Sequence, residues 1–163
     1  MLSLASLVWQ AATWVLSGSR VRVALRRGGL RRDAHGTARL SGPLQPTEGD
    51  YAVMRDQGFT DEVLIVDVRN VGRMPVSVDT ITINTEDGWG FGRLADPENP
   101  ELPHRLEPGS KQTWHVDLEA LQRLVDADFR CRDAWMTVEL ATGKVLRTKE
   151  VTKVSPSSKP APD

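Results

Sequence analysis

Hydrophobic and polar residues alternate with a period of two over much of the chain, and each such run predicts a β-strand. Between Ser19 and Leu25, Val21, Val23 and Leu25 alternate with Arg20, Arg22 and Ala24, the pattern of a strand with one wet face. Glu62 to Arg69 is denser: Val63, Leu64, Ile65, Val66 and Val68 predict a strand in the middle of a sheet, and Asp67 and Arg69 mark its emergence toward solvent. Asn70-Val71-Gly72-Arg73 supplies turn residues, and Pro75 opens another strand through Val76, Val78, Ile81 and Ile83. A turn at Glu86-Asp87-Gly88 leads to a short edge strand around Trp89, Phe91 and Leu94. Leu102 to Leu106 reads as extended, Glu107-Pro108-Gly109-Ser110 as a turn, and Lys111 to Asp117 as a strand with Trp114 and Val116 on one face. Trp135 to Leu140 and Val145 to Val151, joined by Ala141-Thr142-Gly143-Lys144, predict a closing hairpin.

The period changes once in this region. Leu118, Leu121, Leu124 and Val125 recur at about 3.5 residues, which predicts a short helix with Asp117 as its N-cap and Glu119 in its favourable first turn. Residues 41 to 60, with Pro43, Pro46, Gly49 and Gly58, read as a long connection or an edge segment, and Gly28, Gly29 and Gly36 punctuate a basic loop after the first strand. Short strands separated by turn signals every ten residues or so predict a mainly β fold, an antiparallel sandwich with Greek-key connections over residues 19–152. Residues 153–163, rich in Ser, Pro and Lys, read as a disordered tail.

The stretch Leu64 to Val78, L-I-V-D-V-R-N-V-G-R-M-P-V-S-V, resembles the strand-turn-strand of uncharacterised bacterial immunoglobulin-like or fibronectin-III-like domains. Arg105-Leu106-Glu107-Pro108-Gly109 resembles their later turn. In such proteins N-x-G-R-x-P-V is followed by a D-G turn, here Asp87-Gly88, and by a final hairpin with a T-G corner, here Thr142-Gly143. The resemblance implies an immunoglobulin-like sandwich over roughly residues 20 to 150 and carries over no catalytic residue.

Ahead of this domain the chain carries no charge from Leu2 to Leu16 and contains Leu2, Leu4, Leu7, Val8, Trp9, Trp14, Val15 and Leu16. Ser3, Ser6, Gln10, Thr13 and Ser17 fall within one arc of about 80° on a helix, so residues 1–18 predict an apolar amphipathic helix. Fifteen residues span about 22 Å, short of the roughly 30 Å hydrocarbon layer. Three readings stay open: the helix lies in a membrane surface, packs on a partner or on its own chain, including a second copy, or crosses a thin bilayer. A secretory signal would want positive charge before the apolar stretch, and no Lys or Arg precedes Arg20. Arg20, Arg22, Arg26, Arg27, Arg31 and Arg32 follow it instead, and cations flanking an apolar helix stay on the cytoplasmic side and attract anionic lipid. Arg26, Arg27, Arg31 and Arg32 are therefore the candidate contact with an anionic membrane surface.

Length and charge refine this reading. At 163 residues the chain has room for one core, and 39% apolar with 26% charged residues excludes wholesale disorder, a collagen-like repeat and a multi-span membrane protein. Residues 1–40 hold seven Arg and one Asp, whereas the remainder holds fourteen basic and twenty-one acidic residues. Arg outnumbers Lys sixteen to five throughout, which GC-rich codon usage produces without selection for binding. Cys131 is the only cysteine, so no internal disulfide forms and a reducing, cytoplasmic setting is favoured.

Candidate chemistry is sparse. Cys131 has no His at a recognisable nucleophile spacing. Asp96, Glu98, Asn99 and Glu101 lack the spacing and glycine of a calcium loop. His104 and His115 bracket the turn at Pro108 and would face each other on adjacent strands, but two His make no zinc site. Gly88-Trp89-Gly90-Phe91-Gly92 lacks the Lys-Ser/Thr ending and helix of a phosphate loop. Trp89, Trp114 and Trp135 read as core anchors, and the Arg26 to Arg32 run has no aromatics interleaved for specific nucleic-acid readout. No catalytic residue, metal site or cofactor is expected. The sequence predicts a non-catalytic immunoglobulin-like domain that presents loops and sheet edges to another protein, held near the inner face of a membrane or an assembly by its N-terminal helix. A reading from a different class is a structural subunit of a phage or secretion-type particle, self-associating through that helix.

Overall fold

A computed structural model of the protein describes residues 20–32, 38–41, 48–86, 90–92, 98–126 and 132–154. The expected helix over residues 1–18 lies outside the described residues, as do residues 155–163, Trp89 and Cys131. The elements run β1 (Val21–Arg32), β2 (Ala38–Ser41), α1 (Glu48–Asp56), β3 (Asp61–Asn70), β4 (Val76–Thr85), β5 (Gly90–Gly92) and β6 (His104–Leu106). They continue with β7 (Lys111–Asp117), α2 (Leu118–Asp126), β8 (Arg132–Leu140), β9 (Val145–Arg147) and β10 (Thr152–Val154).

The protein is mainly β, with two antiparallel sheets. The first has the strand order β2-β1-β3-β7; the second has β10-β8-β4-β5, with β6 also paired to β4 and β9 to β8. Although a short connection joins them, β3 and β4 do not pair: they are inner strands of different sheets. The two sheets share one core, to which the first gives Leu25, Leu64, Val66, Val68 and Trp114 and the second Val78, Ile81, Ile83, Met136, Val138 and Leu140. The buried positions of β4 switch from even to odd after Val78. The pairing with β8 jumps between Val78 and Thr80, so Asp79 is the extra residue of a bulge that rotates Ile81 and Ile83 back into the core. In β8 the alternation of Ala134, Met136, Val138 and Leu140 runs unbroken.

Helix α2 starts as expected. The Asp117 carboxylate accepts the Glu119 amide N–H at 2.8 Å, and Leu118 and Leu121 are buried in the main core. The closing turn also forms, with Gly143 at φ 77° donating its amide to the Leu140 carbonyl and the Leu140 amide donating in return to Lys144 O. The edge after that turn is interrupted: Thr148 donates its amide to Met136 O, its hydroxyl accepts the Met136 N–H, and pairing resumes at β10. Val154 at its end is buried in the main core.

Two expectations are corrected. The basic segment after Leu25 is no loop, since β1 continues through Arg32 with Gly28 and Gly29 inside the strand. A Cβ at Gly28 would stand 2.4 Å from the Ser41 carbonyl oxygen and one at Gly29 2.7 Å from Phe59 Cβ, so close approach by neighbouring segments requires these glycines. Residues 48–56 form helix α1 where a connection was expected. It ends in a Schellman cap, with Phe59 N–H on Met54 O, Gly58 N–H on Arg55 O, and Gly58 at φ 83°.

Candidate interaction surface

Strand register sets which side chains stand abreast on the outer face of the first sheet, opposite the core. The alternation that buries Leu25, Val66, Val68 and Trp114 turns their neighbours outward. Across β1, β3 and β7 the outward rows are Arg26, Ile65 and His115; Ala24, Asp67 and Thr113; and Arg22, Arg69 and Lys111.

Asp67 organises the middle of this face. Its carboxylate accepts the Thr113 hydroxyl at 2.7 Å and Arg26 Nε at 3.1 Å, and Lys111 Nζ stands 3.4 Å away. Burial alone would raise its pKa, but the Thr113 hydrogen bond and the charges of Arg26 and Lys111 outweigh that and hold the carboxyl below its ordinary value.

The Arg26 to Arg32 group is divided by the strand alternation, with Arg26 and Arg32 on the outer side and Arg27 and Arg31 on the other. Arg26 pairs with Asp67, and Arg27 with Glu62 at 3.3 Å. Arg31 donates to the Gln57 carbonyl at 2.9 Å and lies over the Phe59 ring. Arg32 pairs with Asp61 and, at 2.8 Å, with Glu98. At this end of the sheet a surface cleft of about 460 Å³ is lined by Asp61, Glu62, Asp117 and Glu119 among others. Arg26, Arg27 and Arg32 are thus answered by carboxylates of the same chain, and Arg31 by a backbone carbonyl.

The opposite end is built around Asn70, which is fully buried. Its amide donates to Met74 O at 2.8 Å and Leu106 O at 3.1 Å, and its side-chain oxygen accepts the Gly72 N–H at 3.0 Å. Its backbone joins the 107–110 turn, accepting from Gly109 and donating to Ser110 O. Val71 and Gly72 both donate to Arg20 O, so the connection is latched to the point where the chain enters β1. Val71 and Met74 on that connection are exposed, as is Val145 after the 141–144 turn, which closes onto Ser77 at the same end.

Other sequence candidates fall into structural positions. Trp114 is completely buried, its indole N–H on Pro100 O at 3.0 Å and its ring edge-to-face with His104 at 5.6 Å. Trp135 is half-buried beneath the Arg147 guanidinium, 3.9 Å from the ring centre. His104 and His115 do not face each other on adjacent strands, because β6 belongs to the second sheet and β7 to the first. His115 is buried, with Nε2 3.9 Å from Glu98, and Asn99 holds its backbone from both sides, accepting its N–H at 2.8 Å and donating to its carbonyl at 2.7 Å. Asn99 thereby occupies the free edge of β7 as a strand would. On the other edge, Glu150 accepts the Leu25 N–H at 3.3 Å.

Sequence reasoning singled out neither Asn70 as a hub nor the Arg22, Arg69 and Lys111 row. The turn motif marked the first position, and nothing short of strand register could align the second. Among the described residues, no group of three or more His, Cys, Asp or Glu stands where it could hold a metal ion, and no helix is long and apolar enough to cross a membrane. No protein family matches the chain, and no curated protein matches it. Among solved structures, the X-ray structure of Northeast Structural Genomics Consortium target SoR45 aligns over 88% of this chain and 92% of that one. The identity is 8% and the TM-score 0.36, a likeness too slight to carry an argument.

Proposed function

We propose that this chain is a non-catalytic immunoglobulin-like interaction module, held at the cytoplasmic face of a membrane by its apolar N-terminal segment. The strand order supports the sandwich reading: β1-β3 and β8-β4 are the inner pairs of two antiparallel sheets, and the chain passes from one sheet to the other between β3 and β4, between β6 and β7 and between β7 and β8. The interaction reading is carried by where the polar side chains are spent. Asp67, Asn70, Glu98, Asn99 and Thr148 bond within the chain to fix strands, turns and edges, which favours a rigid framework whose end loops meet other molecules. Since Asn99 and Glu150 occupy positions on both edges of the first sheet, the reading assigns contact to the ends and faces rather than to strand addition at those edges.

The tether is tested by flotation with neutral phosphatidylcholine vesicles. The full chain is expected to float and a chain beginning at Ser19 to stay in solution. Equal behaviour of the two would overturn the tether.

A further inference from the structure

Three cations stand abreast on the outer face of the first sheet. Arg22 lies directly opposite Arg69, and Arg69 directly opposite Lys111. All three are exposed. Adjacent strands are about 4.8 Å apart, so the row spans roughly 10 Å. Like charges directly opposite each other on one face oppose folding. Lys111 leans 3.4 Å from Asp67, whereas neither Arg22 nor Arg69 is joined to a carboxylate among the described residues. This differs from the other end of the same sheet, where Arg27 and Arg32 are each held by Glu62, or by Asp61 and Glu98.

We infer that the Arg22, Arg69 and Lys111 row docks on the anionic headgroups of a membrane leaflet, fixing which end of the domain faces the lipid. The position of the row supplies the occupant. It sits at the end where Arg20 begins the described chain, and the residues before it from Leu2 to Leu16 are uncharged and largely apolar. Exposed Val71, Met74 and Val145 lie at that same end, and Arg20 itself accepts the amides of Val71 and Gly72. Cations beside exposed apolar side chains, next to an apolar tether, match a lipid interface better than a soluble anion: the charges meet headgroups while the apolar groups meet the boundary beneath. The contact is therefore assigned to this row rather than to Arg26, Arg27, Arg31 and Arg32. The end bearing Asp61, Glu62, Asp117 and Glu119 points away from the leaflet, at the far end of strands that span about 30 Å.

The inference rests on the tether proposed above, and the experiment separates the two. Binding of the full chain is measured on phosphatidylcholine vesicles and on vesicles with roughly one third phosphatidylserine, beside the variant Arg22→Gln/Arg69→Gln/Lys111→Gln. The unaltered chain binds the anionic vesicles more tightly, and raised salt removes the excess. The variant loses about 100-fold in affinity for anionic vesicles, from roughly fivefold per cation, and keeps its binding to neutral ones. A variant that retains the anionic preference would overturn the inference while leaving the tether standing. If the full chain fails on neutral vesicles the tether fails, and the row is still read from a chain beginning at Ser19 on anionic vesicles at low salt. Loss of vesicle binding in millimolar inorganic phosphate, but not in chloride of equal ionic strength, would mark a phosphate site and overturn the membrane assignment. Misfolding is excluded by Arg69→Gln alone, whose urea midpoint should equal or exceed that of the unaltered chain because a repulsion has been relieved, while its anionic binding falls.

Discussion

Replacing Asn70 with Ala removes three side-chain hydrogen bonds at once: two donated to Met74 O and Leu106 O, one accepted from Gly72. Each contributes about 1 kcal/mol net, and the Leu106 carbonyl, whose bond is buried, is left without that donor. The expected loss is about 3 to 4 kcal/mol, a large share of the roughly 5–15 kcal/mol that holds an ordinary domain together. Asn70→Asp keeps the shape and the Gly72 bond but points a carboxylate at two carbonyl oxygens, so at pH 7 it should be at least as damaging. Its sign with pH is distinctive. Burial and the facing carbonyls raise the folded-state pKa of the new acid, so the folded state binds the proton more tightly than the unfolded chain. The deficit of Asn70→Asp therefore shrinks as pH falls through that raised value, whereas the deficit of Asn70→Ala does not. Urea unfolding followed by tryptophan fluorescence at several pH values measures both. Asn84→Ala, which loses a half-buried bond to the Thr137 hydroxyl at 3.0 Å, is the comparison at about 1 kcal/mol. A loss below 1 kcal/mol for Asn70→Ala, or parallel pH profiles for the two variants, would refute the hub.

Two further variants test the sheet itself. Asp67 has a folded-state pKa below its ordinary value, so its contribution is complete above the unfolded pKa of about 3.9 and is lost as pH falls through the lower folded value. Asp67→Asn should unfold at lower urea at neutral pH and show a shallower decline in stability below about pH 4; an unchanged acid profile would contradict the network. Gly28→Ala brings a Cβ within 2.4 Å of Ser41 O and 2.7 Å of Ile65 Cδ1, and backbone cannot yield as a side-chain tip can. It should cost about 1 to 3 kcal/mol in urea unfolding, and a neutral result would mean that β2 does not close onto β1 here.

The strands of the inner layers were legible because their alternation is a local property of the chain. Lys111–Asp117 coincides with its expected range, and Asp61–Asn70 and Val76–Thr85 with theirs to within two residues. The cap at Asp117 and the glycine corner at Gly143 were legible for the same reason, since a cap and a turn are decided by a few neighbouring residues. Helix α1 was not. Its one described buried apolar side chain is Met54, and Val53 beside it is exposed, so no periodic stripe announces the helix; only its ending, with Gly58 at positive φ, left a trace. The strand through Arg26 to Arg32 was hidden because charged residues and paired glycines resemble a loop until Asp67, Glu62, Asp61 and Glu98 are brought beside them from positions far along the chain.

The sequence by itself determined a mainly β chain with an apolar leading segment, the turns that break it, and the short helix after Asp117. Only the tertiary structure decided which strands became neighbours and in what register. Register is a relation between distant segments, fixed by packing two hydrophobic faces together rather than by any one segment's composition. It is what sets Arg22, Arg69 and Lys111 side by side, gathers Thr113, Arg26 and Lys111 around Asp67, and divides the arginines of one strand between two faces.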